Sequence, residues 1–226
     1  MRFTYYGHSC FAVDIQGKRI LFDPFITHNE LAKKVDINTI EADYIFVSHG
    51  HEDHVADLIA LAKRTNATVV SNFEIVTWAG KQGISKVHPM NTGGKWKFDF
   101  GTVKCVVAQH SSGLPDGSYG GNPMGFVFMT EDGNFYFAGD TALTRDMELI
   151  PDFTELDFAV LPIGDNFTMD AADAVAAAEM VQCEKIIGVH YDTFGYIKID
   201  KQATMQLFDE AGVELLLPEI GSTIEV

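Results

Sequence analysis

Cysteine and cationic side chains are scarce in this chain. Its three cysteines, Cys10, Cys105 and Cys183, are odd in number, widely separated and never arranged as Cys-x-x-Cys. That spacing supports neither a disulfide framework nor a thiolate metal site. Lys and Arg number 16 against 32 Asp and Glu, a formal net charge of −16 at pH 7. No basic run concentrates the few cations, so a phosphate backbone would be repelled and nucleic acid is a disfavoured partner. No apolar run is long enough to span a bilayer, and the opening MRFTYYGHSCF lacks the apolar centre of a signal peptide. The expectation is a cytoplasmic protein that is not embedded in a membrane. No low-complexity linker divides the chain, and 226 residues, 46% of them hydrophobic, suffice for one core, so a single domain spanning 1–226 is expected.

Histidine is sparse too, with eight in the chain, yet three of the eight fall between His49 and His54 in SHGHEDHVADL. Side chains two apart share a face of a strand, so His49, His51 and Asp53 can converge from an extended segment. His54 joins them only if the backbone turns there. The flanks agree: ADYIFV reads as a buried strand and VADLIALAKR as an amphipathic helix with Asp53 or His54 at its N-terminus. Imidazole and carboxylate suit zinc, manganese, iron or nickel. A solvated capping turn would account for Asp53 but gives no reason for three histidines.

Elsewhere the first 25 residues read as a meander, and strand and helix signals then alternate to the C-terminus. Alternating Phe126, Phe128, Phe135 and Phe137 read as core. The pattern predicts two packed sheets with helices outside. One segment breaks it: HSSGLPDGSYGGNPMG, 110–125, is rich in Gly, Ser and Pro and predicts a long functional loop. Three apolar strands end on candidate ligands: VKCVVAQH on His110, NFYFAGD on Asp140 and KIIGVH on His190. Any one would be an ordinary strand-end polar residue. Their recurrence, together with the cluster, points to one metal site at a common rim.

The set His-x-His-x-Asp-His at 49–54, then His110, Asp140 in GDT and His190, resembles the metallo-β-lactamase-fold superfamily across nearly the whole chain. The resemblance implies an α/β protein, a four-layer αββα sandwich, with a binuclear site in the cleft at one edge of the sheets. It assigns His49, His51 and His110 to one metal, Asp53, His54 and His190 to the other, and Asp140 to both as a bridge. Two divalent ions are thus implied, with zinc the first choice and manganese, iron or nickel also suited. A water between them would lose its proton near neutral pH and act as nucleophile, with Asp53 orienting it and shuttling protons. GHSCFAV, DPF at Asp23–Phe25 and LPIGDNFTM are similar to small metal-dependent hydrolases of the UPF0173 type, themselves similar to ascorbate-6-phosphate lactonases. That group commonly has a second glycine where this chain has Asp165.

His8, in the first tight turn, is expected near the cleft as a substrate contact or as a proton donor to the leaving group. Asp23 reads equally as an acceptor behind a ligating histidine or as a turn residue before Pro24. Asn166 and Thr168 follow a strand end where substrate would pass, although Thr168 and Asp170 also suit a helix cap. Tyr191 and Phe194 read as pocket or core, and His28 and His88 have no motif position. The expected function is metal-dependent hydrolysis of a lactone, ester or phosphate-bearing small molecule. The alternatives are a phosphodiesterase or nuclease, disfavoured by the acidity, and a non-catalytic metal-binding sensor, disfavoured because no ligand is missing. A flavin-coupled redox role is disfavoured as well, since those proteins carry glutamate where this chain keeps His51. A homo-oligomer is compatible with all of these readings.

Overall fold

The computed structural model describes residues 1–226. Its first sheet is built from Arg2–Gly7 (β1), Cys10–Ile15 (β2), Lys18–Phe22 (β3), Tyr44–Phe46 (β4), Thr68–Asn72 (β5) and Val87–Met90 (β6). The second is built from Lys95–Phe98 (β7), Gly101–Val107 (β8), Met124–Thr130 (β9), Gly133–Phe137 (β10), Phe158–Pro162 (β11), Lys185–Val189 (β12) and Glu214–Leu216 (β13). The last strand, Thr223–Glu225 (β14), returns to pair with β1. Strand orders are β14-β1-β2-β3-β4-β5-β6 and β13-β12-β11-β10-β9-β8-β7. Each sheet passes from an antiparallel meander to a parallel part, β3 to β6 in one and β10 to β13 in the other.

Local chemistry explains the meander. Gln16 and Gly17 both have positive φ, 49° and 72°, the turn geometry whose twist suits a two-residue hairpin. Arg19 then pairs across the strands with both carboxylate oxygens of Asp14, at 2.7 and 2.8 Å.

Between the sheets lies a core rich in phenylalanine. Phe128 stacks on Phe135 at 4.5 Å and Phe135 on Phe158 at 4.9 Å. The intervening Val127 and Tyr136 face the other way and are also buried, under the helices. Both faces of the strand are therefore dry, and the sequence there is a continuous apolar run rather than an alternation. Glu52–Val55 (α1), Leu58–Thr65 (α2) and Phe73–Lys81 (α3) follow strands of the first sheet, and Leu58, Leu61, Ile75 and Ala79 pack in the apolar layer outside it. Ala171–Met180 (α4) and Lys201–Glu210 (α5) cover the second sheet. The four layers are α-β-β-α, as the resemblance implied. No helix is long and apolar enough to cross a membrane.

Three local expectations change. The helix predicted over VADLIALAKR is broken at Ala56 and Asp57, because the Asp57 carboxylate accepts from the Ile26 and Thr27 amides at 2.6 and 2.8 Å. ALTRDMELI, which reads as a helix in the alternating pattern, forms only a 3₁₀ turn over Arg145–Leu149, with Thr144 as its cap. Asp170 caps α4 by accepting from the Asp173 amide at 2.8 Å, and Thr168 does not.

Candidate metal centre

Within the first sheet β1, β3 and β4 run in one direction, and within the second β8, β10 and β12 do the same. Their C-terminal ends meet at one edge of the sandwich. His8 follows β1, Asp23 follows β3, the 49–54 cluster follows β4, His110 follows β8, Asp140 follows β10 and His190 follows β12. The polypeptide accommodates the gathering at some expense: His8, Asp23 and His190 have φ of 57°, 40° and 56°. Left-handed backbone at non-glycine residues costs on the order of 1 kcal/mol each and clusters at functional sites. Gly164 allows the loop after β11 to lie on the site, since a Cβ there would sit 2.0 Å from the His190 carbonyl oxygen.

His51 is extended (φ −63°, ψ 149°) and opens α1, so the chain turns immediately after it. That turn delivers Asp53 and His54 to the same space as His49 and His51. Asp140 lies at the centre. One of its oxygens, Oδ2, is 2.9 Å from His190 Nε2, 3.3 Å from His54 Nε2, 3.7 Å from His110 Nε2 and 3.9 Å from His49 Nε2. His49 Nε2 is 3.0 Å from His51 Nδ1. Asp53 Oδ2 lies 3.0 Å from His8 Nε2 and 3.8 Å from both His54 Nε2 and His190 Nε2. Possible ligand atoms fall into compact groups, each within 4.8 Å: His49, His51 and His110; His8, Asp53, His54 and His190; and Asp23, His49 and His54. All seven residues read as ligands from the sequence are brought together, and His8 joins them.

The surroundings set the tautomers. Asp23 Oδ1 accepts from the Ser48 amide at 2.7 Å, and its Oδ2 accepts from Ser48 Oγ at 2.6 Å and from His54 Nδ1 at 2.8 Å. With its hydroxyl proton given to Asp23, Ser48 Oγ accepts from His49 Nδ1 at 3.0 Å. Both imidazoles therefore turn an unprotonated Nε2 toward Asp140 in their neutral forms. Asp23 acts behind the site, which decides between its two sequence readings. Ser48 and Thr193 escaped sequence reasoning. Thr193 Oγ1 lies 3.0 Å from His8 Nδ1 and can give its single hydroxyl hydrogen to that nitrogen, with the Tyr191 carbonyl at 3.3 Å as the longer alternative acceptor.

Burial and charge pull the titrations apart. Burial lowers His8 to about 4, with the neighbouring His190 adding to the effect and Asp53 opposing it. His49 is pushed well below its ordinary value by burial and by His54, while His51 and His110 are lowered chiefly by burial. For His54 burial acts downward, but Asp140, Asp53 and Asp23 outweigh it and raise the imidazole well above its ordinary value. For Asp140 and Asp53 burial acts upward, and the surrounding histidines more than reverse it, so both carboxyls fall below the usual range. Of these three carboxyls, burial wins only at Asp23, which is raised.

The donor set fits divalent metal. Among buried polar atoms, His54 Nε2, His190 Nδ1 and Asp140 Oδ1 have no hydrogen-bond partner. Two of the three point into the histidine cage or belong to the carboxylate at its centre. Buried unpartnered polar atoms are rare, and a coordinated cation would satisfy His54 Nε2 and Asp140 Oδ1, although not His190 Nδ1, whose ring turns Nε2 to the cage.

The loop after His110 is held against this edge. The Asn72 carboxamide donates to the carbonyls of Gly120 and Asn122 at 2.7 and 3.2 Å, and the Gly50 amide donates to Ser112 Oγ at 3.0 Å. Asn166 is exposed on the loop beyond β11. His28 is exposed, and His88 packs between Trp96 and Phe98, 5.0 Å from each ring; neither joins the site.

Comparison with known proteins agrees with this geometry. The sequence profile of the Beta-lactamase superfamily domain matches residues 18–191, a span that holds every residue of the cage except His8. A UPF0173 metal-dependent hydrolase of Flavobacterium johnsoniae is 54% identical over 226 residues, covering the whole of both chains. Another from Christiangramia forsetii is 55% identical over 227 residues, again covering both completely. Among solved structures, the metallo hydrolase Igni18 of the hyperthermophilic archaeon Ignicoccus hospitalis matches with a TM-score of 0.88 at 32% identity, covering 99% of this chain and 97% of the other. The chain belongs to the metallo-β-lactamase superfamily, and within it to the UPF0173 metal-dependent hydrolases.

Proposed function

We propose that the cage holds two divalent ions and hydrolyses a lactone, ester or phosphate-bearing small molecule. His49, His51 and His110 would hold one ion, Asp53, His54 and His190 the other, and Asp140 both. The observation that carries this reading is the position of Asp140: a single carboxylate oxygen within 3.9 Å of four imidazoles drawn from both sets. Bound divalent ions supply Lewis acidity, polarising a carbonyl or phosphoryl oxygen and making water acidic enough to attack near neutral pH. Zinc suits the nitrogen-rich donors, and manganese, iron and nickel accept the same set.

The chain's own groups do the positioning and proton transfer. Asp53 takes the proton of the attacking water and delivers it to the leaving group. His8, kept neutral by burial, donates its Nε2 hydrogen to Asp53 Oδ2 and fixes the direction of that carboxylate. Asp23 holds His54 with Nε2 inward, and Ser48 does the same for His49.

The test is metal content and turnover on protein reconstituted separately with zinc and manganese, using lactones, esters and phosphodiesters, with Asp140→Ala as the comparison. Two ions per chain, and turnover lost in the variant, are expected. An Asp140→Ala protein with full metal and full activity would falsify the binuclear reading, and preferential turnover of phosphodiesters would favour a phosphodiesterase instead.

A further inference from the structure

The segments that make up the metal edge, 23–29, 48–57, 110–123, 138–144, 163–170 and 190–197, contain nine acidic residues and no lysine or arginine. The cation that reaches them from outside, Lys201 of α5, is paired with Asp192 at 3.2 Å, so no lysine or arginine on these segments is left for a phosphate or carboxylate on a substrate. The same edge gathers exposed aromatic surface. Of nine exposed large apolar side chains in the protein, five are Phe73, Tyr119, Phe167, Phe194 and Tyr196, all on segments that leave strands at this edge. Scattered surface aromatics need no explanation, but a concentration beside a reactive centre does.

Two adjacent loops carry the nearer group. Phe194 lies four residues after His190, its ring 5.4 Å from the His8 ring and 6.3 Å from that of Phe25. Phe167 and Tyr196 meet edge to face at 6.2 Å, across loops that touch where Gly164 meets the His190 carbonyl. Tyr196 is 78% exposed and Phe167 48%, so neither ring is committed to the core. Across the cage, the 110–123 loop approaches through Ser111, whose Oγ is 3.4 Å from His51 Nε2, and carries Tyr119.

We propose that this site selects neutral substrates, an ester or lactone bearing an aryl or branched alkyl group, which seats on Phe194, Phe167 and Tyr196 while its carbonyl faces the cage. The inference rests on the hydrolase reading above and narrows it by removing the phosphate-bearing class. A substrate is favoured over a second copy of the chain as occupant because two molecules of net charge −16 repel, and because Phe194 packs 5.4 Å from the His8 ring of the His8–Asp53 pair.

The experiment compares three lactones on metal-replete enzyme: dihydrocoumarin, its carboxylated derivative and δ-valerolactone, each rate corrected for spontaneous hydrolysis. Dihydrocoumarin is expected to have the highest kcat/KM. In Phe194→Ala/Tyr196→Ala its advantage over δ-valerolactone should fall about tenfold, mainly through KM, as burial of one aromatic face implies. A second readout is independent of turnover: 2-phenylethanol added to the native protein should shift the backbone amide resonances of 164–169 and 190–197, and phenylacetate should shift them less. Preference for the carboxylated lactone, an unchanged ratio in the variant, or shifts elsewhere would overturn the inference alone. No turnover of any lactone or ester by fully metallated protein overturns the hydrolase reading and this inference with it. A concentration-dependent dimer abolished by the double substitution would make the patch an interface and overturn it as well.

Discussion

At the end of the sandwich opposite the histidines, the starts of β11, β12 and β13 border a cavity of about 740 Å³. Four carboxylates line it, Glu155, Asp157, Glu184 and Glu214, with Lys185 beside them. That end is roomy and acidic, yet all four carboxylates are solvent-exposed. At the metal edge Asp23 and Asp140 are 0% and 2% exposed, pressed against imidazoles in a space with little water to share. Exposed carboxylates stay ionised without help, whereas buried ones demand a compensating charge. Chemistry therefore follows desolvation and convergence of donors rather than cavity size or the number of acids.

That contrast can be broken by substitution. Asp140→Ala should lower turnover by roughly a thousandfold or more, the scale of losing metal-based stabilisation, while circular dichroism stays native. Glu184→Ala and Glu214→Ala at the other end should change neither metal content nor rate. A comparable loss in either would show that the far cavity takes part. His8→Ala should keep its metal and turn over about a hundredfold more slowly, because Asp53 loses the group that directs it for proton transfer. Metal lost from that variant, measured by elemental analysis, would make His8 a ligand.

Smaller effects sharpen the comparison. Asp23→Asn should weaken metal binding by about 10- to 100-fold, as removal of a group behind a ligand typically does, and titration against a chromophoric chelator would measure it. In the metal-free protein His54 is raised above its ordinary value, so it carries a proton near neutral pH that an ion must displace. Metal affinity should then rise with pH by up to about tenfold per unit for that proton, and calorimetry in buffers of different ionisation enthalpy would count it. The sign for folding is the reverse. A raised folded value stabilises the metal-free protein fully below the ordinary histidine range and ceases to do so as pH climbs through the raised value. Metal binding without proton release would show that His54 is neutral beforehand.

Much of the candidate centre was legible because residues able to hold metal were marked by local rules. An apolar strand that ends in His or Asp marks a rim position, and His110, Asp140 and His190 each stand at such an end. The 49–54 cluster is a turn written in six residues. Less local features were harder to read. The break between α1 and α2 depends on Thr27 and Ile26, about 30 positions before Asp57. The short strands β6 and β14 carry weak patterns of their own and exist because a neighbour offers an edge to pair with. Thr168 and Asp170 both suited a cap by residue type, and only the backbone turn singles out Asp170.

By itself, then, the amino-acid order determined which residues are chemically able to hold metal and on which strands they end, because residue type and short periodicity are local properties. Only the tertiary structure decided their wiring. His8 meets Thr193 across 185 positions and Asp53 across 45, and Ser48 links Asp23 to His49. The aromatic rings around the cage likewise share an edge only once the two sheets have packed. Such contacts depend on how distant loops are brought together when two dry sheet faces close on one another, and no window along the chain contains that information.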